Sequence, residues 1–186
     1  MKIHLILVMA MLGVISSTCL AETYTQKAGP FTIQVTSDEA IELDYVTDPY
    51  PVDNFNAYDV DLYVGDNLGT NVWEIEIQNY GRPINIDDLE YSILKYNPPW
   101  NGFFTSWETP NVGGKPGLIG IIEKGGKNKN GINVNPGFVA AYSPDGYGDQ
   151  GTTIAIIDAT TNEKNFTEDK TKFENIVKNI RIFKTG

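Results

Sequence analysis

The chain has 186 residues, 41% of them hydrophobic and 11% aromatic, with 24 acidic against 14 basic side chains, one histidine and one cysteine. That is enough apolar mass for one folded domain with its own core and too much for a disordered chain. A net charge of −10 repels phosphate backbones at long range, which argues against a nucleic-acid partner.

Lys2, the apolar run Leu5 to Ile15, and then Ser16, Ser17, Thr18, Cys19, Leu20 and Ala21 have the layout of a secretory leader. The apolar core is too short to span a membrane, and a small residue stands at the expected cut after Ala21. Residues 1–21 therefore read as a signal peptide and residues 22–186 as one secreted domain, placed outside the cell or on the extracellular face of its envelope. An uncleaved anchor and lipidation at Cys19 are the alternatives. With cleavage, His4 and Cys19 leave together, and the mature chain carries neither imidazole nor thiol. Histidine- or cysteine-based nucleophiles, disulfides and ordinary zinc sites go with them. Catalysis would fall to carboxylates, Lys or Tyr, and a metal would need oxygen ligands.

Along the mature chain, apolar residues alternate at Phe31, Ile33, Val35, at Ile41, Leu43, Tyr45, at Tyr58, Val60, Leu62, Val64, and at Trp73, Ile75, Ile77. This period of two predicts four antiparallel strands with one wet face. Asp48-Pro49-Tyr50-Pro51 and Gly65-Asp66-Asn67 supply turns between them. Residues 85–96 shift to a helical period, with Ile86, Leu89, Ile93 and Tyr96 on one face, Asn85 as cap, and Asn97-Pro98-Pro99 as stop. An aromatic loop follows, holding Trp100, Phe103, Phe104 and Trp107. Residues 118–122, 137–142 and 153–157 are apolar at both parities, which predicts strands covered on both faces by helices. Lys124 to Gly131 reads as a hairpin tip with Asn130-Gly131 as its turn, and Ser143-Pro144-Asp145-Gly146 reads as another turn. Asp145 and Asp149 do not have EF-hand spacing. A last helix is capped by Thr167 and buries Phe173, Ile176, Val177 and Ile180, after which Ile180 to Phe183 completes the sheet. Asn165-Phe166-Thr167 is an N-glycosylation sequon, although capping explains the Thr equally well.

The stretch from Gly117 to Lys184, with its apolar strand, Gly/Asn-rich hairpin, two further strands, Phe-x-x-Ile-Val helix and Ile-Arg-Ile-Phe ending, resembles the closing half of the PsbP/Mog1-like proteins. The segment Thr25-Gln26-Lys27-Ala28-Gly29-Pro30-Phe31 is similar to the opening of uncharacterised secreted proteins of methanogenic archaea. The resemblance implies an α+β fold in which helices pack on an antiparallel sheet as an αβα sandwich. It also implies a non-catalytic binding or assembly role. No functional residue carries over position by position.

Charge is segregated along the chain. Residues 37–90 hold 14 acids and one base, Arg82, whereas residues 91–186 hold 9 acids and 11 bases. Strand parity sends Glu42, Asp44, Asp59, Asp61, Glu74 and Glu76 to polar faces, where like charges would oppose one another if the strands are neighbours. These six are the candidate ligands of an oxygen-ligated cation such as Ca²⁺, or a docking face for a basic partner; a plain solvated surface is the competing reading. On exposed faces nothing is expected to lift their pKa values, which speaks against a glycosidase pair. Trp100, Phe103, Phe104 and Trp107 form either a contact platform or a plug folded over the sheet. The expected function is that of a secreted binding module, taken to be monomeric, acting through the acidic strand face and the aromatic loop. Its partner would be a protein or a cell-surface polysaccharide. A carboxylate-dependent polysaccharide hydrolase and a structural envelope component are the alternatives.

Overall fold

The computed structural model describes residues 20–46, 50–52, 55–65, 72–96, 100 and 102–185. The expected signal peptide up to residue 19, the turn residues at 47–49 and 66–70, and the proline stop at 97–99 lie outside the described residues. Among the described residues the fold is a β-rich α+β arrangement of antiparallel strands with two helices.

The first strand among the described residues lies ahead of the alternating segments read from the sequence. β1 (Glu22–Ala28) and β2 (Phe31–Ser37) pair through the two-residue turn Gly29-Pro30. Gly29 has φ 57°, the positive angle that primed hairpin turns demand, and a Cβ there would stand 2.3 Å from the Tyr58 ring. β14 (Ile180–Lys184) pairs with the other edge of β2, giving a three-stranded sheet in the order β1-β2-β14. This corrects the expectation that the last strand completes the main sheet and that β2 belongs to it.

The main sheet has nine strands. Its path runs through β3 (Ile41–Tyr45), β5 (Phe55–Val64), β6 (Val72–Asn79), β13 (Thr153–Thr160), β12 (Gly137–Tyr142), β9 (Lys115–Ile122) and β7 (Ser106–Glu108). β4 (Tyr50–Val52) pairs with β5, and β8 (Asn111–Val112) pairs with β9. A separate two-stranded hairpin, β10 (Gly126–Lys127) with β11 (Asn133–Val134), projects between β9 and β12. At its tip Asn128 Oδ1 accepts the N–H groups of Asn130 and Ile132.

Each face of the main sheet supports its own core. The first face presents Val60, Leu62, Trp73, Ile75, Ile77, Ala155, Ile157, Phe138 and Ala140 to α2 (Phe166–Asn179) and the small sheet. Phe173, Ile176 and Val177 are the buried stripe of α2 at helical spacing. The Phe173 ring lies 5.5 Å from Trp73 and 5.4 Å from Phe138. Each such fully buried ring or branched chain contributes about 1.5–3 kcal/mol. Both-parity apolar strands do have two covered faces, but on this side a sheet shares the covering with the helix.

The second face is apolar only in part. α1 (Asp87–Tyr96) buries Leu89 and Ile93 against Val139, Ala141, Ile154 and Ile156. Asp88 fixes its start by accepting the Asn85 N–H at 2.7 Å, in place of the expected Asn85 side-chain cap. Ile86, expected on the buried face, precedes the helix and is 49% exposed. Toward β5 and β6 this face carries carboxylates.

Candidate functional site

The register of β3, β5, β6 and β13 decides where the acidic strand residues go. Glu42 faces Tyr63 and Asp44 faces Asp61 across β3 and β5; Asp59 faces Glu76 and Asp61 faces Glu74 across β5 and β6. Because side chains alternate along a strand, all six predicted carboxylates share the second face of one sheet. A seventh joins them, since Asp158 on β13 faces Glu74. Asp44, Asp61, Glu74 and Asp158 thus form one row across four adjacent strands. Asp158 is not among the six carboxylates that strand parity singles out, yet it is the sole charge in the apolar strand Thr153–Thr160, and that isolation is the available signal.

No lysine or arginine forms an ion pair with any of the seven among the described residues. Local support comes from neutral donors. Tyr50 donates its hydroxyl to Asp59 Oδ2 at 2.9 Å, and Tyr63 donates to Asp61 Oδ2 at 3.3 Å. Asp59 Oδ1 is buried and has no hydrogen-bond partner among the described residues. Glu76 Oε1 accepts from the amide of Gln78, a fully buried side chain whose own carbonyl accepts the Tyr80 hydroxyl at 2.9 Å. The Tyr80 hydroxyl also meets Ser92 Oγ at 3.1 Å. Tyr80 gives its proton to Gln78, so Ser92 is the donor to Tyr80, and a directed chain runs from α1 to Glu76.

These surroundings overturn the expectation that nothing lifts the carboxylate pKa values. Loss of hydration pushes Glu76 up to about 7, with repulsion from Asp59 and Glu74 adding to it and the Gln78 bond opposing. Burial raises Asp158 well above its ordinary value, reinforced by Glu74, Glu76 and Asp59. Asp59 is raised by burial and by Asp61 against the pull of its Tyr50 bond. Glu74 is raised by loss of hydration and then by Asp59 and Asp61, although its side chain is the most open of these four. Glu42 and Asp44 stand exposed at the rim.

Among the described residues no group of three or more His, Cys, Asp or Glu side chains is set to hold a metal ion. As placed, the carboxylates form rows along a sheet and not a closed ligand shell. Their shared property is field: a concentration of negative charge with hydrogen-bonded protons close by.

The aromatic segment flanks the same face. Trp100, Phe104 and Trp107 pack with the cluster under α1, and all four predicted aromatics, Phe103 included, are half-buried. The Phe104 and Trp107 centroids lie 4.5 Å apart. Trp107 stands opposite Gly120, where a Cβ would come within 2.6 Å of Phe104 and 2.7 Å of Trp107. These two rings fill the space left by that glycine, in the manner of a plug. Phe103 reaches the hairpin, where a Cβ at Gly126 would meet its ring at 3.1 Å.

No described helix is long and apolar enough to cross a membrane. Comparison with protein-family models, with curated proteins and with solved structures finds no match.

Proposed function

We propose that this is an exported binding or assembly module whose contact surface is the second face of the main sheet, with a cationic partner docking on the carboxylates beside the aromatic segment. The observation that carries this reading is the gathering of seven carboxylates on one sheet face with no ion-paired base among the described residues. Like charges directly opposed across strands destabilise a sheet by roughly 0.2–1 kcal/mol each, and a bound cation or basic segment removes that cost. The half-buried rings supply adjacent apolar area. The PsbP/Mog1-like resemblance is what suggests an assembly role, and α1 and α2 contribute to different cores. Titration calorimetry of the chain lacking residues 1–21 with polylysine, Ca²⁺ and Mg²⁺ tests it. Saturable heat that weakens with salt and is lost in Asp61→Asn/Glu74→Gln is expected. Heats equal to those of ionic-strength controls for all three probes would overturn it.

A second reading rests on Glu76, whose carboxyl is raised to about 7 beside Asp59. An acid that holds its proton near neutrality next to an ionisable partner is the equipment of a polysaccharide hydrolase. Release of reducing ends from polysaccharides, abolished by Glu76→Gln, distinguishes it from binding alone.

A further inference from the structure

We propose that Asn165 carries an N-linked glycan, placed on the side of the molecule opposite the acidic face. The inference rests on the export reading above, and on structural observations of its own. Asn165-Phe166-Thr167 is the sole Asn-Xaa-Ser/Thr sequence in the chain. The structure removes the competing explanation for its Thr. Asn165, not Thr167, occupies the N-cap position of α2, and Thr167 lies inside the first turn. The Asn165 side chain makes no cap hydrogen bond and is exposed. Thr167 is exposed too, and its hydroxyl bonds to nothing among the described residues; only its backbone carbonyl is used, accepting from Thr171 Oγ1 at 3.1 Å. Asn165 already has helical dihedrals, φ −98° and ψ −3°, and the side-chain acceptor at this helix start is Asn162 Oδ1, which takes the N–H groups of Lys164 and Asn165 at 3.0 and 3.2 Å, so the Asn165 amide has no capping task.

The middle residue behaves differently. Phe166 packs 5.0 Å from the Phe138 ring and is tied into the core on the first face. With that anchor fixed, the two polar members of the sequon stand at the surface, and a chain attached to Asn165 displaces no packed group. A recess of about 570 Å³ adjoins the site between the β2–β3 turn and α2, with Asp38, Glu39, Lys164, Thr167, Glu168 and Lys172 in its lining. Its mixed carboxylate, ammonium and hydroxyl groups suit the hydroxyls of the first sugars. Because α2 covers the first face and the carboxylates occupy the second, a glycan here leaves the proposed docking surface clear.

The donor is a lipid-diphosphate-linked oligosaccharide outside the membrane. Nδ2 of Asn165 forms a bond to C1 of the first sugar while the C1–O bond to the diphosphate breaks; the lipid diphosphate leaves with the electron pair, and the amide proton passes to a base of the transferase. Thr167 is helical in the folded chain, so the extended sequon that a transferase reads exists before α2 closes, and transfer precedes folding.

The test uses the full chain with its leader, produced in its own cells and purified from outside the membrane or from the envelope. Expected are an amino terminus at Glu22, an intact mass above that of the bare mature chain, and the excess on the peptide containing Asn165. The excess disappears in Asn165→Gln and Thr167→Ala and persists in Thr167→Ser, which controls for folding because serine keeps the hydroxyl. A terminus at Glu22 with unmodified Asn165 overturns the glycan and leaves export standing. A retained leader with unmodified Asn165 overturns both. An excess that survives Thr167→Ala also overturns the assignment.

Discussion

Asp59 on β5 and Glu76 on β6 stand directly opposite one another, so two carboxylates meet at a position where a cross-strand ion pair would stabilise the sheet. The structure accommodates them by different means: Asp59 accepts the Tyr50 hydroxyl, and Glu76 rises to about 7 and holds its proton near neutrality.

That arrangement sets a pH dependence of defined sign. Glu76 titrates near 4.5 when unfolded and about 7 when folded, so between these values the folded state binds more protons. Its contribution is fully present below pH 4.5 and is lost as pH rises through about 7; Asp158, Asp59 and Glu74 are shifted in the same direction. At one pKa unit to about 1.4 kcal/mol, and discounting for water at this half-buried site, Glu76 alone is worth on the order of 2 kcal/mol. Scanning calorimetry should show Tm falling from pH 5 to pH 8. Glu76→Gln, which keeps a neutral side chain at every pH, should flatten part of that slope and equal or exceed the parent at pH 8. A Tm that climbs over this interval in the parent protein would contradict the raised pKa values.

Charge reversal at the centre of the acidic row should stabilise the fold. Glu74 faces Asp61 on one side and Asp158 on the other. Glu74→Lys exchanges two repulsive cross-strand pairs for two attractive ones, a gain of about 1–2 kcal/mol at neutral pH and low salt. Urea unfolding at low and at high ionic strength measures it, and the gain should shrink in salt. The same substitution should weaken any binding of polylysine, so stability and binding move in opposite directions.

The alternation of Asp59, Asp61, Glu74 and Glu76 with buried neighbours made the polar face legible from sequence, because period-two patterning is local. What it could not supply is register. Opposition of Asp61 to Glu74 is fixed by long-range pairing, and the recruitment of Asp158 depends on β13 lying beside β6, a neighbour distant in the chain. Desolvation of Glu76 depends on the same non-local placement, since β6 lies between β5 and β13. β1 was missed because Thr23, Thr25 and Lys27 alternate with Tyr24 and Gln26, a pattern too polar to register as a strand without β2 beside it. The destination of β14 was misread for the same reason: Ile180 to Phe183 announces a strand, and only tertiary packing selects which sheet it joins.

The aromatic segment is held by an absence of volume at Gly120. A Cβ there would press to 2.6 Å of Phe104 and 2.7 Å of Trp107, both ring atoms with packed neighbours. Gly120→Ala should therefore cost about 1–3 kcal/mol and displace the rings toward solvent. Tryptophan emission should shift to the red, with little change in far-UV circular dichroism. An unshifted spectrum with unchanged stability would mean the rings are not seated on this glycine.

Asp145 gives the last prediction, because a residue read from sequence only as part of a turn is the hub of a loop. Its carboxylate accepts four donors in full, the backbone N–H and hydroxyl of Thr152 at 3.0 Å each and those of Thr153 at 3.2 Å each, and shares the single Ser143 hydroxyl proton, 3.1 Å away at Oγ, with the Gly146 carbonyl. These bonds tie the 143–151 segment to the start of β13, one strand of the main sheet. Hydrogen bonds to a charged acceptor contribute about 1.5–3 kcal/mol, and removal leaves half-buried or buried donors unsatisfied. Asp145→Ala should lower stability by about 3 kcal/mol and speed hydrogen exchange at Thr152 and Thr153. Asp145→Asn should cost less, since one carboxamide oxygen still accepts. If exchange at Thr153 is unchanged in the alanine variant, the two backbone bonds are not what holds this loop to the sheet.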